Sequence, residues 1–342
     1  MMLGLDTSKK QGIFGTYVML WVSSHVLVYA SKMPGAPQYN ATSVVLITEA
    51  VKLVMALAFY RRYDGDTAQL VREVRGSTDL LLQYVVPALL YCVYNNLVYV
   101  NLTFFDPGTY NVLMQLRIVL TGVLYQLLFS TRLGRNQWLA IILIMLGCVC
   151  KESPKLFGAA GRVPSALSHA WVLLAFQMVC SVFAGVYNEK LLKKDGKDGR
   201  RVGTNLQNAY MYLNSIWCNL AFLVLNGTLQ EAVHPDNLRA VFSPTVLAIV
   251  AIMASVGMVT GFFLKILDSV LKSVASAVEV LLTTLLSTLF FGTPLALADV
   301  LAAAMVGGGV ALYARPAGGR GAVPAATGAS ELSELIPMGL KK

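Results

Sequence analysis

Residues 94–151 read YNNLVYVNLTFFDPGTYNVLMQLRIVLTGVLYQLLFSTRLGRNQWLAIILIMLGCVCK. Two long apolar runs meet at Asp106-Pro107-Gly108, a turn signature, and a third follows the basic stretch Arg132–Arg135. The first two runs have about the 20 residues an α-helix needs to cross hydrocarbon. The same texture extends over the whole chain. Of 342 residues, 56% are hydrophobic and only 13% charged, about half the charge of a soluble domain. Mean hydropathy is +0.63. A soluble fold cannot bury that much apolar surface, so the chain is read as an all-α polytopic membrane protein. A disordered, collagenous or disulfide-stapled secreted protein is excluded. The five cysteines (Cys92, Cys148, Cys150, Cys180 and Cys218) sit in apolar runs, which indicates neither a disulfide framework nor a zinc site.

Ten spans are predicted: 12–30, 41–60, 80–101, 108–130, 136–150, 168–188, 206–226, 243–264, 271–291 and 295–313. Residues 1–11 then form a cytoplasmic N-terminal segment, 12–313 the transporter-sized domain, and the Gly-, Ala- and Pro-rich 314–342 a disordered cytoplasmic tail. The start lacks a signal-peptide cleavage pattern. Lys and Arg crowd the loops of one side, including Arg61, Arg62, Arg72, Arg75, Lys190, Lys193, Lys194, Lys197, Arg200 and Arg201. The opposite loops carry Lys32, Lys151, Lys155, Arg162 and Arg239. Positive residues stay cytoplasmic, so both termini are expected there. The net charge of +9 is therefore a topology signal and calls for no nucleic acid. Three Asn-X-Thr sequons (Asn40, Asn101 and Asn226) fall on the other side, and Asn40 is the candidate for glycosylation.

Ten spans divide into halves of about 12–150 and 168–313. An odd number per half inverts the second half in the membrane. Residues 102–150 align without a gap on 264–312, pairing Asp106 with Asp268, Thr121 with Thr283 and Gly147 with Gly309. Inverted repeats are common in secondary transporters, with the site near mid-membrane. The same alignment pairs Arg117 with Glu279.

Polar residues inside spans mark the candidate site, because each needs a partner or water. Glu49 and Lys52 lie three apart on one helix face, as a mutually satisfied pair or as a gating and coupling element. Tyr91, Tyr94, Asn95 and Asn96 crowd the third span, as helix glue or cavity lining. Gln115 and Arg117 lie on the fourth. A guanidinium at mid-membrane suits an anionic substrate, since its planar fork matches phosphate oxygens; a structural Arg117–Glu279 ion pair is the competing reading. Asn208, Tyr210, Tyr212 and Asn214 lie on the seventh span, where rings can stack on a base and amides bind its edge. Lys265 reads as a snorkelling end residue, whereas Lys272 begins the ninth span, where a helix N-terminus favours anions. No HExxH, GxSxG or P-loop pattern is present, so neither an enzyme nor ATP-driven transport is expected, and no cofactor or metal is called for. His25, His169 and His234 are read as ordinary span-end or loop residues.

In sequence order, Asn95-Asn96, Asp106-Pro107-Gly108-Thr109-Tyr110-Asn111-Val112, Gln115-Leu116-Arg117-Ile118 and Gln137-Trp138 resemble the nucleotide-sugar transporters of solute carrier family 35, subfamily A. That subfamily includes the CMP-sialic acid and UDP-galactose transporters. TEAVKL (48–53), Val186-Tyr187-Asn188-Glu189-Lys190, NAYMYLN (208–214) and Lys265-x-x-Asp268-x-x-x-Lys272 match as well. The resemblance implies the ten-helix drug/metabolite transporter fold with inverted five-helix repeats. It implies exchange of a cytosolic nucleotide sugar, here UDP-galactose or another UDP-sugar, for lumenal nucleoside monophosphate across the Golgi membrane or that of the endoplasmic reticulum.

By the same resemblance, Arg117 and Lys272 hold phosphates, and Asn208, Tyr212 and Asn214 hold the base or ribose. Asn95 and Asn96 shape the sugar end, with Gln115 and Tyr91 beside them, while Glu49, Lys52 and Glu279 gate or couple. Partners are the nucleotide sugar, the monophosphate and the bilayer, with a homodimer or a glycosyltransferase association as further expectations. Two residues depart from the family pattern: Arg117 stands where relatives have Lys, and Glu279 where they are small and neutral. Glu279 is expected to pair with Arg117 when substrate is absent. Two other functions fit the residues: export of a different anionic metabolite such as a sugar phosphate, and a non-transporting adaptor for glycosyltransferases.

Overall fold

The computed structural model describes residues 7–31, 39–105, 107–158, 169–194, 202–292 and 294–314. The predicted tail and the Asp106 end of the first turn lie outside them. The helices are α1 (Ser8–Ala30), α2 (Ala41–Phe59, running into a π turn at Tyr60–Asp64), α3 (Thr67–Gly76), α4 (Thr78–Gln83), α5 (Val85–Phe104), α6 (Pro107–Met114), α7 (Arg117–Phe129), α8 (Arg135–Gly158), α9 (His169–Leu192), α10 (Thr204–Leu225), α11 (Leu229–Ala232), α12 (Pro235–Val241), α13 (Pro244–Ile266), α14 (Ser269–Phe291) and α15 (Leu297–Tyr313). Local chemistry sets several starts. Asn40 Oδ1 accepts from Thr42 and Ser43 N at the head of α2. Asp268 Oδ1 accepts from Leu271 N, 2.7 Å, at the head of α14. These side chains satisfy donors that a first turn leaves orphaned.

Among the described residues, seven helical stretches are long and apolar enough to cross a membrane: α1, α2, α4–α5, α6–α7, α9, α13 and α14. The chain is thus a polytopic, nearly all-helical protein. Three of the ten predicted spans fall short of that measure. α15 has only 17 residues. The apolar run of α8 stops at Lys151 and Glu152. α10 carries Asn205, Gln207, Asn208, Asn214 and Asn219, polar groups that protein packing rather than lipid must satisfy; its first half is accordingly buried.

The fourth predicted span is not one regular helix. At its centre Gln115 N donates to Val112 O, Leu116 N to Leu113 O and Ile118 N to Gln115 O. These i→i+3 bonds tighten the chain between α6 and α7, and Arg117 emerges directly from the break. α5, α6 and α9 are clamped beside it by Gln177. Its Oε1 accepts from Asn101 Nδ2, 2.8 Å, and its Nε2 donates to Tyr94 O, 3.1 Å, and to Tyr110 Oη, 2.8 Å.

Helix pairing follows a regular scheme: α8 packs on α15, α5 on α9, α1 on α13 and α14, α7 on α9, α2 on α10 and α13, and α10 on α5. The largest core cluster, including Tyr17, Ile141, Ile144, Phe263, Val274 and Val306, joins α1, α8, α13, α14 and α15. Where α8 crosses α15, a Cβ on Gly147 would sit 2.8 Å from Val306 Cγ2, and one on Gly309 would sit 2.6 Å from Ile144 Cγ1. Small residues let membrane helices approach closely. Gly147→Val is therefore expected to overpack the crossing by roughly 1–3 kcal/mol. A lowered unfolding temperature in detergent checks this, with Gly307→Val as the control, since nothing lies within 4 Å of a Cβ there.

One end of the bundle is bolted shut. Glu189 on α9, fully buried, accepts from Ser269 N (2.7 Å), Ser269 Oγ (2.5 Å) and Lys193 Nζ (2.7 Å). Lys193 also donates to Leu267 O, and Lys265 donates to Leu192 O, 2.7 Å. Lys265 is thus a tie between α13 and α9, a correction to its reading as a snorkelling end. At the same end Tyr84 Oη donates to Gln207 Oε1, 2.8 Å, and Asn205 Nδ2 donates to Asp64 Oδ2, 3.1 Å.

Candidate functional site

Two cations on different helices, Arg117 on α7 and Lys272 on α14, lie within electrostatic reach of one another. Arg117 Nη1 donates to Tyr94 Oη, 3.2 Å. Lys272 on α14 lies within hydrogen-bonding reach of Tyr91 and within electrostatic reach of Tyr17 and Arg117. Among the described residues, neither cation has a carboxylate within ion-pair distance. Two like charges side by side repel, and cations in a span need a counter-charge or water. Among the described residues, the side chains within hydrogen-bonding reach of the two cations are Tyr94 and Tyr91. Such an arrangement can hold an anion.

The expected Arg117–Glu279 pair is absent. Glu279 Oε1 is bonded instead to His25 Nδ1, 2.7 Å. His25 is no ordinary span-end residue: it lies on α1 and its ring packs on Trp21 at 5.6 Å. The sequence alignment of 102–150 on 264–312 pairs Arg117 with Glu279 by position only. Equivalence of position does not entail contact.

A second polar cluster joins α2, α10 and α13. Glu49 and Lys52 are paired at 2.5 Å, their side chains 13% and 16% exposed. Lys52 Nζ stands 5.5 Å above the Tyr212 ring. Asn208 and Tyr212, one turn apart and so on one face, are both buried. Among the described residues, Asn208 Nδ2 and Tyr212 Oη have no hydrogen-bond partner. Buried polar atoms without partners cost free energy, which a ligand accepting from these two would recover. Glycines on α13 make the room: a Cβ on Gly261 would lie 2.0 Å from Asn208 Oδ1, and one on Gly257 would lie 2.7 Å from Lys52 Cδ.

Four predicted binding residues, Asn214, Asn95, Asn96 and Gln115, do not join these clusters. Asn214 Nδ2 donates to Leu81 O (3.0 Å) and Tyr210 O (2.9 Å), so its amide hydrogens are spent tying α10 to α4. The neighbours Asn95 and Asn96 diverge, as successive helix residues must. Asn95 is exposed, one turn from Tyr91 on the same face. Asn96 Nδ2 donates to Cys92 O, 2.8 Å, and its side chain lines a separate cavity of about 220 Å³ with Thr42, Leu46, Asn219 and Thr228. Gln115 is half-buried at the α6–α7 break. At Asn40, Nδ2 donates to Glu231 Oε1, 3.1 Å, while Oδ1 caps α2; the candidate glycosylation nitrogen is engaged. Tyr94 was singled out from sequence only as helix glue or cavity lining, and His25 only as an ordinary residue; Tyr17 and Gln177 were not picked out. Tyr17 could have been, since it falls on a predicted span.

Two cations without a carboxylate partner among the described residues, within a multi-span helical protein, suit a carrier of organic anions. A sequence model of the nucleotide-sugar transporter family matches residues 10–314, and the chain belongs to that family. It is 39% identical to the UDP-galactose transporter senju of Drosophila melanogaster, over 88% of this chain and 85% of that one. It is 31% identical to the UDP-galactose translocator of Mus musculus (90% and 78% covered) and 29% identical to CMP-sialic acid transporter 2 of Oryza sativa subsp. indica (86% and 81% covered). A solved crystal structure superposes with a TM-score of 0.64 at 18% identity, covering 90% of this chain and 97% of that one; it speaks to the fold alone.

Proposed function

We propose that the protein exchanges a cytosolic UDP-sugar, with UDP-galactose as the first choice, for lumenal UMP by alternating access in the Golgi membrane. The observation that carries this reading is the pair of cations, Arg117 and Lys272, without a carboxylate partner. The pyrophosphate lies between them, with Tyr91 and Tyr94 orienting the cationic heads. The nucleoside reaches the α2–α10–α13 cluster, where Tyr212 and Asn208 donate their unspent hydrogens. Glu49 and Lys52 seat the Tyr212 ring from α2 and couple α2 to occupancy. Asn95, on the Tyr91 face, and Gln115, at the α6–α7 break, border the sugar. The preference for uracil and galactose comes from the two relatives named for UDP-galactose.

Ten spans in two inverted halves support alternating access. The helix pairing exchanges with itself when each span is advanced by five. α1 on α13 and α14 becomes α9 on α5 and α7, and α2 on α10 and α13 becomes α10 on α2 and α5. The α8–α15 crossing maps onto itself, with Gly147 and Gly309 trading places. Positive residues put both termini, and so the bolted Glu189 end, on the cytoplasmic side. The conformation described is then closed to the cytosol. Reopening breaks the Glu189–Ser269 bonds as nucleotide bridges the two halves. An empty site leaves two cations uncompensated during that movement, which makes exchange obligatory.

Uptake of labelled UDP-galactose should be inhibited by UMP and little by uridine or galactose 1-phosphate. Equal inhibition by galactose 1-phosphate would instead favour a sugar-phosphate exporter.

A further inference from the structure

The His25–Glu279 pair lies outside the two clusters assigned to the nucleotide. The Glu279 side chain is 6% exposed and that of His25 46%, so the carboxylate is buried while the imidazole is not. Glu279 lies seven residues beyond Lys272 on α14, two turns along the same face and about 10 Å away. Tyr17 on α1 is within electrostatic reach of both Lys272 and Glu279. Tyr91 on α5 and Arg117 on α7 adjoin Lys272 in turn. Among the described residues, these are the charged and titratable groups in electrostatic reach of Glu279 or of its neighbour Lys272, with Tyr29 one turn from His25 on α1. Those elsewhere on the helices packed against α1 and α14 are engaged locally: Lys151 with Glu152 on α8, Glu189 with Lys193 on α9, Lys265 with Leu192 O on α13, and Asp299 with Ala296 N at the start of α15.

We propose that His25 and Glu279 form a proton-binding site linked to the nucleotide site, taking up one proton from water as anionic ligand settles on Arg117 and Lys272 and releasing it as the ligand leaves. The charges balance. With neutral imidazole and ionised carboxylate the pair carries one negative charge, which partly compensates the two cations of the empty site. When phosphates arrive they supply that compensation, and the pair's own negative charge becomes excess. One proton on imidazole Nε2 then neutralises the pair. Nδ1–H donates to Oε1 before and after, so the 2.7 Å contact persists. A unit charge about 10 Å away, at an effective dielectric of about 20, shifts such an equilibrium by roughly tenfold. Linkage is reciprocal, so low pH strengthens nucleotide binding. No pattern of charge spacing betrays this site in the sequence, since its two members lie on the first and ninth predicted spans.

The inference rests on the nucleotide reading of the two cations, and one experiment separates them. UDP-galactose, whose pyrophosphate stays ionised near neutrality, is titrated into the full-length protein in lipid nanodiscs between about pH 8 and about pH 6. Proton uptake is counted in weak buffer. The wild type should bind severalfold to about tenfold more tightly at the lower pH and take up as much as one proton per site. Glu279→Gln and His25→Gln should bind with no pH dependence and no uptake. Binding by wild type that is independent of pH, or equal uptake in Glu279→Gln, overturns the linkage alone. No binding at any pH overturns the nucleotide reading and the linkage with it. The wild-type proton count decides the matter even where a variant fails to fold.

Discussion

Arg117→Ala should abolish UDP-galactose transport while leaving a folded protein. The guanidinium makes one hydrogen bond to protein, the 3.2 Å contact with Tyr94, and no ion pair among the described residues, so its removal orphans no buried carboxylate. What is lost is a charge-assisted, fork-shaped contact to phosphate, about 3 kcal/mol, or roughly 100-fold in affinity. Arg117→Lys keeps the charge but not the fork and should fall between. Thermal unfolding separates the two effects: Arg117→Ala should unfold near the wild-type temperature without ligand and lose the stabilisation that UMP confers on wild type. Retained UMP stabilisation would place the phosphates elsewhere.

The second large effect concerns the bolted end. Glu189→Ala removes a fully buried carboxylate that three donors share. It leaves the Ser269 N–H unpaired and Lys193 without its partner. Breaking one side of a buried ion pair costs about 3–5 kcal/mol; Lys193 is partly exposed, at 28%, so roughly 3 is expected. Ser269→Ala, which removes only the hydroxyl donor, should cost about 1 kcal/mol. Unfolding temperatures of the two variants in nanodiscs check the order. Because these bonds close the end, Glu189→Ala should also raise alkylation of a cysteine placed at Val274, which is fully buried in the wild type. Unchanged labelling would deny Glu189 its role as a bolt.

Hydrophobic run length made the helices legible; the caps at Asn40 and Asp268 were not read from sequence. The break between α6 and α7 was hidden, because Gln115 and Leu116 carry no proline or glycine to announce it. Chemistry by residue type singled out Arg117, Lys272, Asn208 and Tyr212, which the fold gathers into two clusters. It grouped others that helical geometry separates. Asn208 and Tyr212 share a face, but Asn214 sits two residues, about 200°, beyond Tyr212 and points at α4. The same rotation splits Asn95 from Asn96. The His25–Glu279 contact was illegible for another reason. Its members come from opposite ends of the chain, and the repeat offered Arg117 as a partner for Glu279 only by analogy of position.

The most direct test of the exchanger is counterflow in proteoliposomes preloaded with UMP or, separately, CMP, with labelled UDP-galactose outside. Uptake above the equilibrium level only with UMP inside, lost in Arg117→Ala, is the predicted result. Equal uptake into empty vesicles, or none with either nucleotide in protein that still unfolds cooperatively, would contradict it.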